Sequence, residues 1–171
     1  MKQVAQLLEG MKASRVIRDY ALCGAVAQMR YTEPMATLDA DVLVLPAEDS
    51  GVGLEVLSPI YSYCRERGHV PEGEAILVGN WPVQFVPVFS PLTEEAVRTA
   101  STEAMEGVSL RVVGADHLAV IALSVGRAKD YARILALLEA GAVRKEAIQA
   151  LALRHNLSPQ WLAFQRRFLD D

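Results

Sequence analysis

Scarce residue types exclude several protein classes for this 171-residue chain. Its two cysteines, Cys23 and Cys64, cannot form a disulfide framework or a CxxC metal pair, so we expect two buried thiols. The longest apolar stretch runs only from 118 to 126, whereas a membrane-spanning helix needs about 20 residues. The N-terminal segment carries Glu9 and Lys12 where a signal peptide would have an uncharged core. We therefore expect a cytoplasmic protein that does not bind a membrane.

The chain also lacks an excess of positive charge. It has 17 Lys+Arg against 21 Asp+Glu, for a formal net charge of -4. This balance gives no general attraction to polyanions, so any contact with nucleic acid must depend on a local basic patch. Hydrophobic residues make up 51% and charged residues 22%, values typical of a globular protein with a substantial core.

Hydrophobic periodicity predicts an α+β fold with a mixed β-sheet flanked by helices. Helices are expected at 2–17, from 25, from 54 to about 68, and at 93–99; strands are expected at 20–23, 38–45, 75–79, 82–89 and 109–113. After residue 115 the pattern is entirely helical, in segments near 115–124, 127–140, 144–154 and 158–169. We therefore expect an α/β core over 1–114 and a helical C-terminal extension over 115–171, packed on the core.

Two carboxylates on the second predicted strand are the first candidate site. Asp39 and Asp41 are two positions apart, so their side chains leave the same face of a strand, with Cα atoms roughly 6–7 Å apart. Carboxylate oxygens in this arrangement suit Mg²⁺ or Mn²⁺, which bind through one or two carboxylates together with substrate phosphates. A D-x-D pair also occurs by chance in a chain of this length, but two like charges on an otherwise apolar strand favour a metal site.

A second candidate is Gly24-Ala25, at the junction of the first strand and the following helix. Glycine lets the backbone approach a phosphate closely, and the helix N-terminus supplies free N–H groups. The alternative is a glycine that only permits a tight turn.

Taken together, these segments resemble the signature of the nucleotidyltransferase superfamily, most closely its minimal, AbiEii-toxin-like branch. In that family a glycine turn and a Thr-x-Asp-x-Asp strand lie side by side, and a helical Lys-Asp segment follows far downstream. The matching residues are Gly24-Ala25, Arg30, Glu33-Pro34, Thr37-Leu38-Asp39-Ala40-Asp41 and the segment 126–133, Gly-Arg-Ala-Lys-Asp-Tyr-Ala-Arg.

The resemblance implies transfer of a nucleoside monophosphate from a nucleoside triphosphate to an RNA, protein or small-molecule acceptor. It implies catalytic roles for Asp39, Asp41 and Lys129, with Asp39 and Asp41 holding two metal ions that clamp the attacking and leaving oxygens. The triphosphate would be held by Gly24, Ala25, Arg30, Thr37 and Arg127. A toxin role with an antitoxin protein as partner is also implied. The alternative for segment 127–133 is a solvated helix face with an internal ion pair.

The sequence departs from the family pattern at two places. Ala25 replaces a serine whose hydroxyl would contact phosphate, a loss of roughly 1.5–3 kcal/mol. The strand at 82–88 lacks the expected third carboxylate and offers Gln84, which can ligate a metal but cannot act as a base. Glu48, Asp49 and Glu74 are conceivable substitutes.

These departures leave a second function open, a catalytically weakened member of the fold that binds a nucleotide or a protein partner. A helical adaptor that binds no nucleotide is the third hypothesis. The three histidines, His69, His117 and His155, are widely spaced and share no ligand pattern, so they are interpreted as surface or core residues. The C-terminal half also contains five cations that could dock a tRNA or another RNA acceptor if one face presents them: Arg144, Lys145, Arg154, Arg166 and Arg167.

Overall fold

The structure is a computed structural model that describes residues 1–33, 39–48 and 53–170. Within these residues the helices are α1 (Lys2–Ala13), α2 (Gly24–Gln28), α3 (Ser58–Glu66), α4 (Pro91–Arg98), α5 (Ala115–Val125), α6 (Ala128–Glu139), α7 (Lys145–Arg154) and α8 (Ser158–Phe168). A 3-10 turn at Gly53–Leu57 precedes α3. The strands are β1 (Ile17–Cys23), β2 (Ala40–Pro46), β3 (Val70–Glu72), β4 (Ala75–Val78), β5 (Trp81–Pro87), β6 (Ser101–Met105) and β7 (Val108–Val112).

All of these strands form one mixed sheet in the order β3-β4-β5-β2-β1-β7-β6. The central strand β2 pairs antiparallel with β1 and parallel with β5, and β1 pairs parallel with β7. Residues 42–45 of β2 are buried, because β2 lies in the interior of the sheet and both of its faces are covered. This burial accounts for the continuous apolar run in the sequence.

Local sequence signals explain where the elements begin and end. Helix α1 buries one apolar stripe that includes Leu8 and Met11, as expected for a helix packed on a sheet. Helix α4 begins with a capping box, in which the Ser90 side chain accepts a hydrogen bond from the Thr93 backbone N–H. Helix α5 ends at Val125 and is followed by Gly126, whose φ of 72° is left-handed and therefore favours glycine.

The C-terminal helices share a core with the sheet. Leu123 of α5, Ile134 of α6 and Trp161 of α8 belong to the same buried cluster as Tyr20 and Val44 of the strands. Helix α5 contacts α2 and α4. The C-terminal helices therefore form one wall of the space beside the sheet.

The α+β fold class with a mixed sheet flanked by helices is confirmed. Periodicity missed β3 and β6, two edge strands whose side chains are mostly exposed, because an exposed strand carries little apolar alternation. The helix expected over 2–17 ends at Ala13, and β1 begins at Ile17. Cys23 and Cys64 are free and buried, as predicted. Among the described residues, no helix combines the length and apolar character needed to cross a bilayer.

Candidate functional site

The turn at Gly24 lies directly against the carboxylate of Asp41. In the antiparallel pairing of β1 and β2, Cys23 is the register partner of Asp41, so the next residue, Gly24, begins α2 beside the aspartate. A Cβ atom added to Gly24 would lie 2.1 Å from Oδ2 of Asp41, and the φ of Gly24 is +65°. Both the conformation and the space therefore require glycine here.

Strand register also places Gln84 beside Asp41. In the parallel pairing of β2 and β5, Asp41 is the partner of Gln84 and Leu43 is the partner of Val86, so all four side chains share one face of the sheet. They line a cavity of about 760 Å³. The opposite wall is formed by residues of α5 and α6.

Asp39 lines a neighbouring, smaller cavity. This cavity has a volume of about 350 Å³, and Gln84, Glu72 and Glu74 also line it. Gln84 therefore borders both cavities and separates Asp39 from the wider space in front of Asp41. Glu74, one of the conceivable substitutes for the missing third carboxylate, lines this cavity with Gln84.

Arg127, immediately before α6, and Arg133 of α6 line the large cavity with Asp41. Arg127 donates from Nε to Asp130 Oδ2 at 2.7 Å, and Arg133 donates from Nη1 to Asp130 Oδ1 at 3.3 Å. The side chain of Asp130 is 2% exposed, against 57% for that of Arg127. Burial raises the pKa of Asp130, but hydrogen bonds from Arg127 and the charges of both arginines outweigh it, so this pKa is lowered. The ionised carboxylate thus holds both guanidinium groups at the cavity wall.

Buried Gln28 connects this segment to α2. Its Nε2 donates to the backbone carbonyl of Arg133 at 3.3 Å, and its exposed fraction is 2%. Gln28 lines the cavity as well. A direct hydrogen bond beside the cavity therefore connects α2 to α6, the helix that carries Arg133.

Burial and neighbouring charges have opposing effects on the pKa of Asp41. Its pKa is raised, first by burial and then by the charge of Asp39, while Arg133, Lys129 and Arg127 act in the lowering direction. The net shift shows that the ionised carboxylate is not fully compensated by the protein alone.

The oxygen donors at this site fit a hard divalent cation. Asp41 supplies a carboxylate and Gln84 an amide oxygen to the large cavity, whereas Asp39 supplies its carboxylate to the smaller one. Such oxygen ligands suit Mg²⁺ or Mn²⁺ when substrate phosphates complete the shell. Within residues 1–33, 39–48 and 53–170, no group of three or more His, Cys, Asp or Glu side chains is arranged to hold a metal ion. A metal at Asp41 would therefore depend on phosphate oxygens of the substrate.

Other residues assigned from the sequence lie in different surroundings. Arg30 pairs with Glu103 of β6, Nε to Oε2 2.9 Å, and lines a separate cavity with Trp81. Ala25 is buried in the first turn of α2, and Lys129 is exposed. Thr37 lies outside the described residues.

The substitute acids are also dispersed. Glu48 is exposed and pairs with Arg18 at 3.6 Å, so it does not line either cavity described above. Asp49 lies outside the described residues.

Sequence reasoning gave no site role to Asp130, Arg133 or Gln28. An internal ion pair was the alternative interpretation of segment 127–133, and the structure contains it, since Asp130 pairs with both Arg127 and Arg133. Nothing in the local sequence marks Gln28, because its partner is distant in the chain.

Two of the three histidines come together on one carboxylate at the far end of the large cavity. His155 Nε2 lies 2.6 Å from Glu95 Oε2, and His117 Nε2 lies 3.4 Å from Glu95 Oε1, which Arg154 also contacts. Burial raises the pKa of Glu95, but the hydrogen bond to His155 and the charge of Arg154 lower it by more than burial raises it. The net shift of this pKa is therefore downward. The three basic side chains therefore join α4, α5 and the end of α7 through Glu95.

Comparison with known proteins identifies the fold. No protein-family model matches the sequence, and no curated protein matches it. Among solved structures, a nucleotidyltransferase-like protein from Paracoccidioides brasiliensis aligns with a TM-score of 0.54 at 15% identity, covering 95% of this chain and 92% of that chain. The antibiotic-resistance factor ANT(2'')-Ia aligns with a TM-score of 0.53 at 11% identity, covering 95% and 93%. The chain therefore has the fold of the nucleotidyltransferases.

Proposed function

We propose that this protein is a metal-dependent nucleotidyltransferase of the AbiEii-toxin-like branch, which moves a nucleoside monophosphate from a nucleoside triphosphate to an acceptor. On this proposal it acts as the toxin of a toxin–antitoxin pair. The observation that carries the proposed activity is the close approach of Gly24 to Asp41. Arg127 and Arg133 line the same cavity, which supports a site for a polyphosphate.

Each residue has a physical role in this proposal. The absence of a side chain at Gly24 lets the Asp41 carboxylate approach the backbone turn, so the turn and this carboxylate line the same cavity. Arg127 and Arg133 neutralise phosphate charge, and Asp130 keeps their guanidinium groups oriented. Asp39 and Asp41 would hold Mg²⁺ or Mn²⁺, which would supply charge stabilisation at the attacking and leaving oxygens when bound.

The neutral amide of Gln84 determines the expected rate of nucleotidyl transfer. Its amide oxygen can accept from a water or contribute to a metal shell, but the amide cannot remove a proton from an acceptor. The native protein is therefore expected to transfer nucleotides slowly. The same feature supports a second candidate, a weakened member of the fold that binds nucleotide without turnover.

Calorimetric titration with ATP, CTP, GTP and UTP in Mg²⁺, together with release of labelled pyrophosphate, tests the proposal. We expect binding of at least one nucleotide and slow release of pyrophosphate, both lost in Asp41→Asn. Asp170→Asn, at an exposed position near the C-terminal end of the described residues, is the matched control. Binding without pyrophosphate release would favour the second candidate, and absence of binding would contradict both.

A further inference from the structure

Arg133 is held by buried polar residues at both its side chain and its backbone. In the part of the chain that the structure describes, four polar or charged residues other than tyrosine and cysteine are buried: Gln28, Thr93, His117 and Asp130. Asp130 accepts a hydrogen bond from Nη1 of Arg133 at 3.3 Å. Gln28 donates from Nε2 to the backbone carbonyl of Arg133, also at 3.3 Å. Two of these four residues therefore contact the same arginine.

The backbone carbonyl of Arg133 does not need Gln28 as a hydrogen-bond partner. Arg133 lies in the interior of α6, where each carbonyl accepts from the N–H four residues later. The bond from Gln28 is therefore an additional one, between residues 105 positions apart. An apolar side chain at position 28 would leave this carbonyl with its helical partner, whereas a buried amide costs free energy unless it is hydrogen-bonded. Core stability alone therefore does not explain a glutamine here.

Helix α2 connects Gln28 to the glycine turn beside Asp41. Gln28 is the last residue of α2 and lies four positions after Gly24, which is about one helical turn. Gly24 in turn lies directly against the Asp41 carboxylate. A continuous path of contacts therefore runs from Asp41 through α2 to α6, and Gln28 is the residue that joins the two helices. All four residues of this path, with Arg133 at its end, line the large cavity.

The charge of Arg133 acts strongly on the site that this path connects. Burial and the charge of Asp39 raise the pKa of Asp41, and among the cations that oppose them Arg133 has the largest effect, ahead of Lys129 and Arg127. The side chain of Arg133 is 20% exposed, against 57% for that of Arg127, so solvent screens its charge less. The position of the Arg133 guanidinium group therefore matters more to an anionic ligand beside Asp41 than that of either other cation.

We infer that Gln28 is a positioning residue, which sets the distance of the Arg133 guanidinium group from Asp41 and thereby the affinity for the triphosphate. For its ligand, this inference rests on the proposed function. Asp130 and Arg133 both belong to α6, so their ion pair orients the guanidinium group but cannot fix α6 relative to the glycine turn. Gln28 belongs to α2 and supplies that second constraint. Loss of its hydrogen bond lets α6 shift relative to α2, and the guanidinium group and Asp130 shift together.

Calorimetric titrations with ATP in Mg²⁺ and with inorganic tripolyphosphate test this inference on the full chain. The proteins compared are wild type, Gln28→Met, Arg133→Met and the double variant. We expect each single variant to weaken binding of both ligands about tenfold. The double variant should bind no more weakly than Arg133→Met alone, because Gln28 acts only through that guanidinium group.

Two controls separate positioning from a general structural effect. The melting temperature of Gln28→Met should stay near that of wild type, because the Arg133 carbonyl keeps its helical partner. Gln149→Met, at an exposed position of α7, should leave both affinities unchanged. Gln28→Asn keeps an amide that is one methylene too short for the contact. It should weaken binding as Gln28→Met does, and it replaces the methionine variant if that protein does not fold.

The outcomes separate this inference from the proposed function. If Gln28→Met binds ATP and tripolyphosphate as wild type does, the positioning role is overturned and nucleotide binding stands. If the losses of the two single variants add in the double variant, Gln28 does not act through Arg133 and the positioning role is again overturned. If tripolyphosphate affinity depends on Gln28 through Arg133 but no nucleotide binds, the proposed function fails and the positioning role stands at a polyphosphate site. If wild type binds neither ligand, both are overturned.

Discussion

Replacing Gly24 by alanine is the sharpest perturbation that the structure offers. The added Cβ would lie 2.1 Å from Oδ2, 3.0 Å from Cγ and 3.2 Å from Cβ of Asp41. Rotation of the carboxylate relieves the contact with Oδ2 but not the contact with Cβ, which the strand backbone fixes. We therefore expect Gly24→Ala to displace the Asp41 carboxylate rather than to unfold the protein.

The stability cost of this substitution has a matched reference in the same chain. A left-handed conformation costs about 1–2 kcal/mol for alanine relative to glycine. Gly141 has a φ of +66°, nearly the same as Gly24, but nothing lies within 4 Å of the Cβ position there. Gly141→Ala therefore measures the backbone strain alone, and the difference between the two variants measures the contact with Asp41.

The effect on function should be much larger than the effect on stability. A displacement of about 1 Å at a reacting centre costs about 100-fold in rate. We expect Gly24→Ala to lose nucleotide binding in Mg²⁺ and pyrophosphate release, while Gly141→Ala keeps both at the wild-type level. Thermal melts would give the stability difference and calorimetry the nucleotide affinity. If Gly24→Ala and Gly141→Ala proved equal in stability and in nucleotide binding, the close approach of Gly24 to Asp41 would have no role.

Three further substitutions test the electrostatics of the site. The raised pKa of Asp41 means that its protonated form favours folding at low pH and that this contribution is lost as the pH rises through the raised pKa. Asp41→Asn should therefore melt higher than wild type at pH 7 without metal but not at pH 3; an equal advantage at both would contradict the argument. Gln84→Glu should tighten Mg²⁺ binding, seen as a larger metal-induced rise in melting temperature; an unchanged response would place the metal elsewhere. Asp130→Asn should cost about 1–3 kcal/mol in thermal or urea unfolding and should raise the Kd for ATP, because Arg127 and Arg133 lose their shared partner. An unchanged Kd would show that their orientation is irrelevant.

Some of the site could be predicted from the sequence because it depends on short-range order. A glycine after a strand predicts a turn, and α2 begins at Gly24. The two-residue spacing of Asp39 and Asp41 predicts one strand face, but β2 begins at Ala40 and the two carboxylates line different cavities. An apolar run predicted β2, since a strand covered on both faces must be apolar. These features depend on residues close together in the sequence and not on how the rest of the chain is arranged.

The surroundings of the Arg30 side chain could not be predicted from local sequence. It follows α2 in the sequence, close to Gly24, but the structure places it on Glu103 of β6 and beside a different cavity. Local order fixed the helix and the turn, whereas the direction of the side chain depends on which strand lies at the adjacent edge of the sheet.

The sequence by itself determined most of the elements, the positions of the two acids and the glycine turn, because each depends on residues only a few positions apart. The tertiary structure decided what these features face. Whether Gln84 points to Asp41 depends on register, since a shift of one residue would turn it to the opposite face. The cavity depends on α5, α6 and α7 closing over the sheet. These contacts join residues that are distant in the sequence, and no local pattern specifies which of them meet.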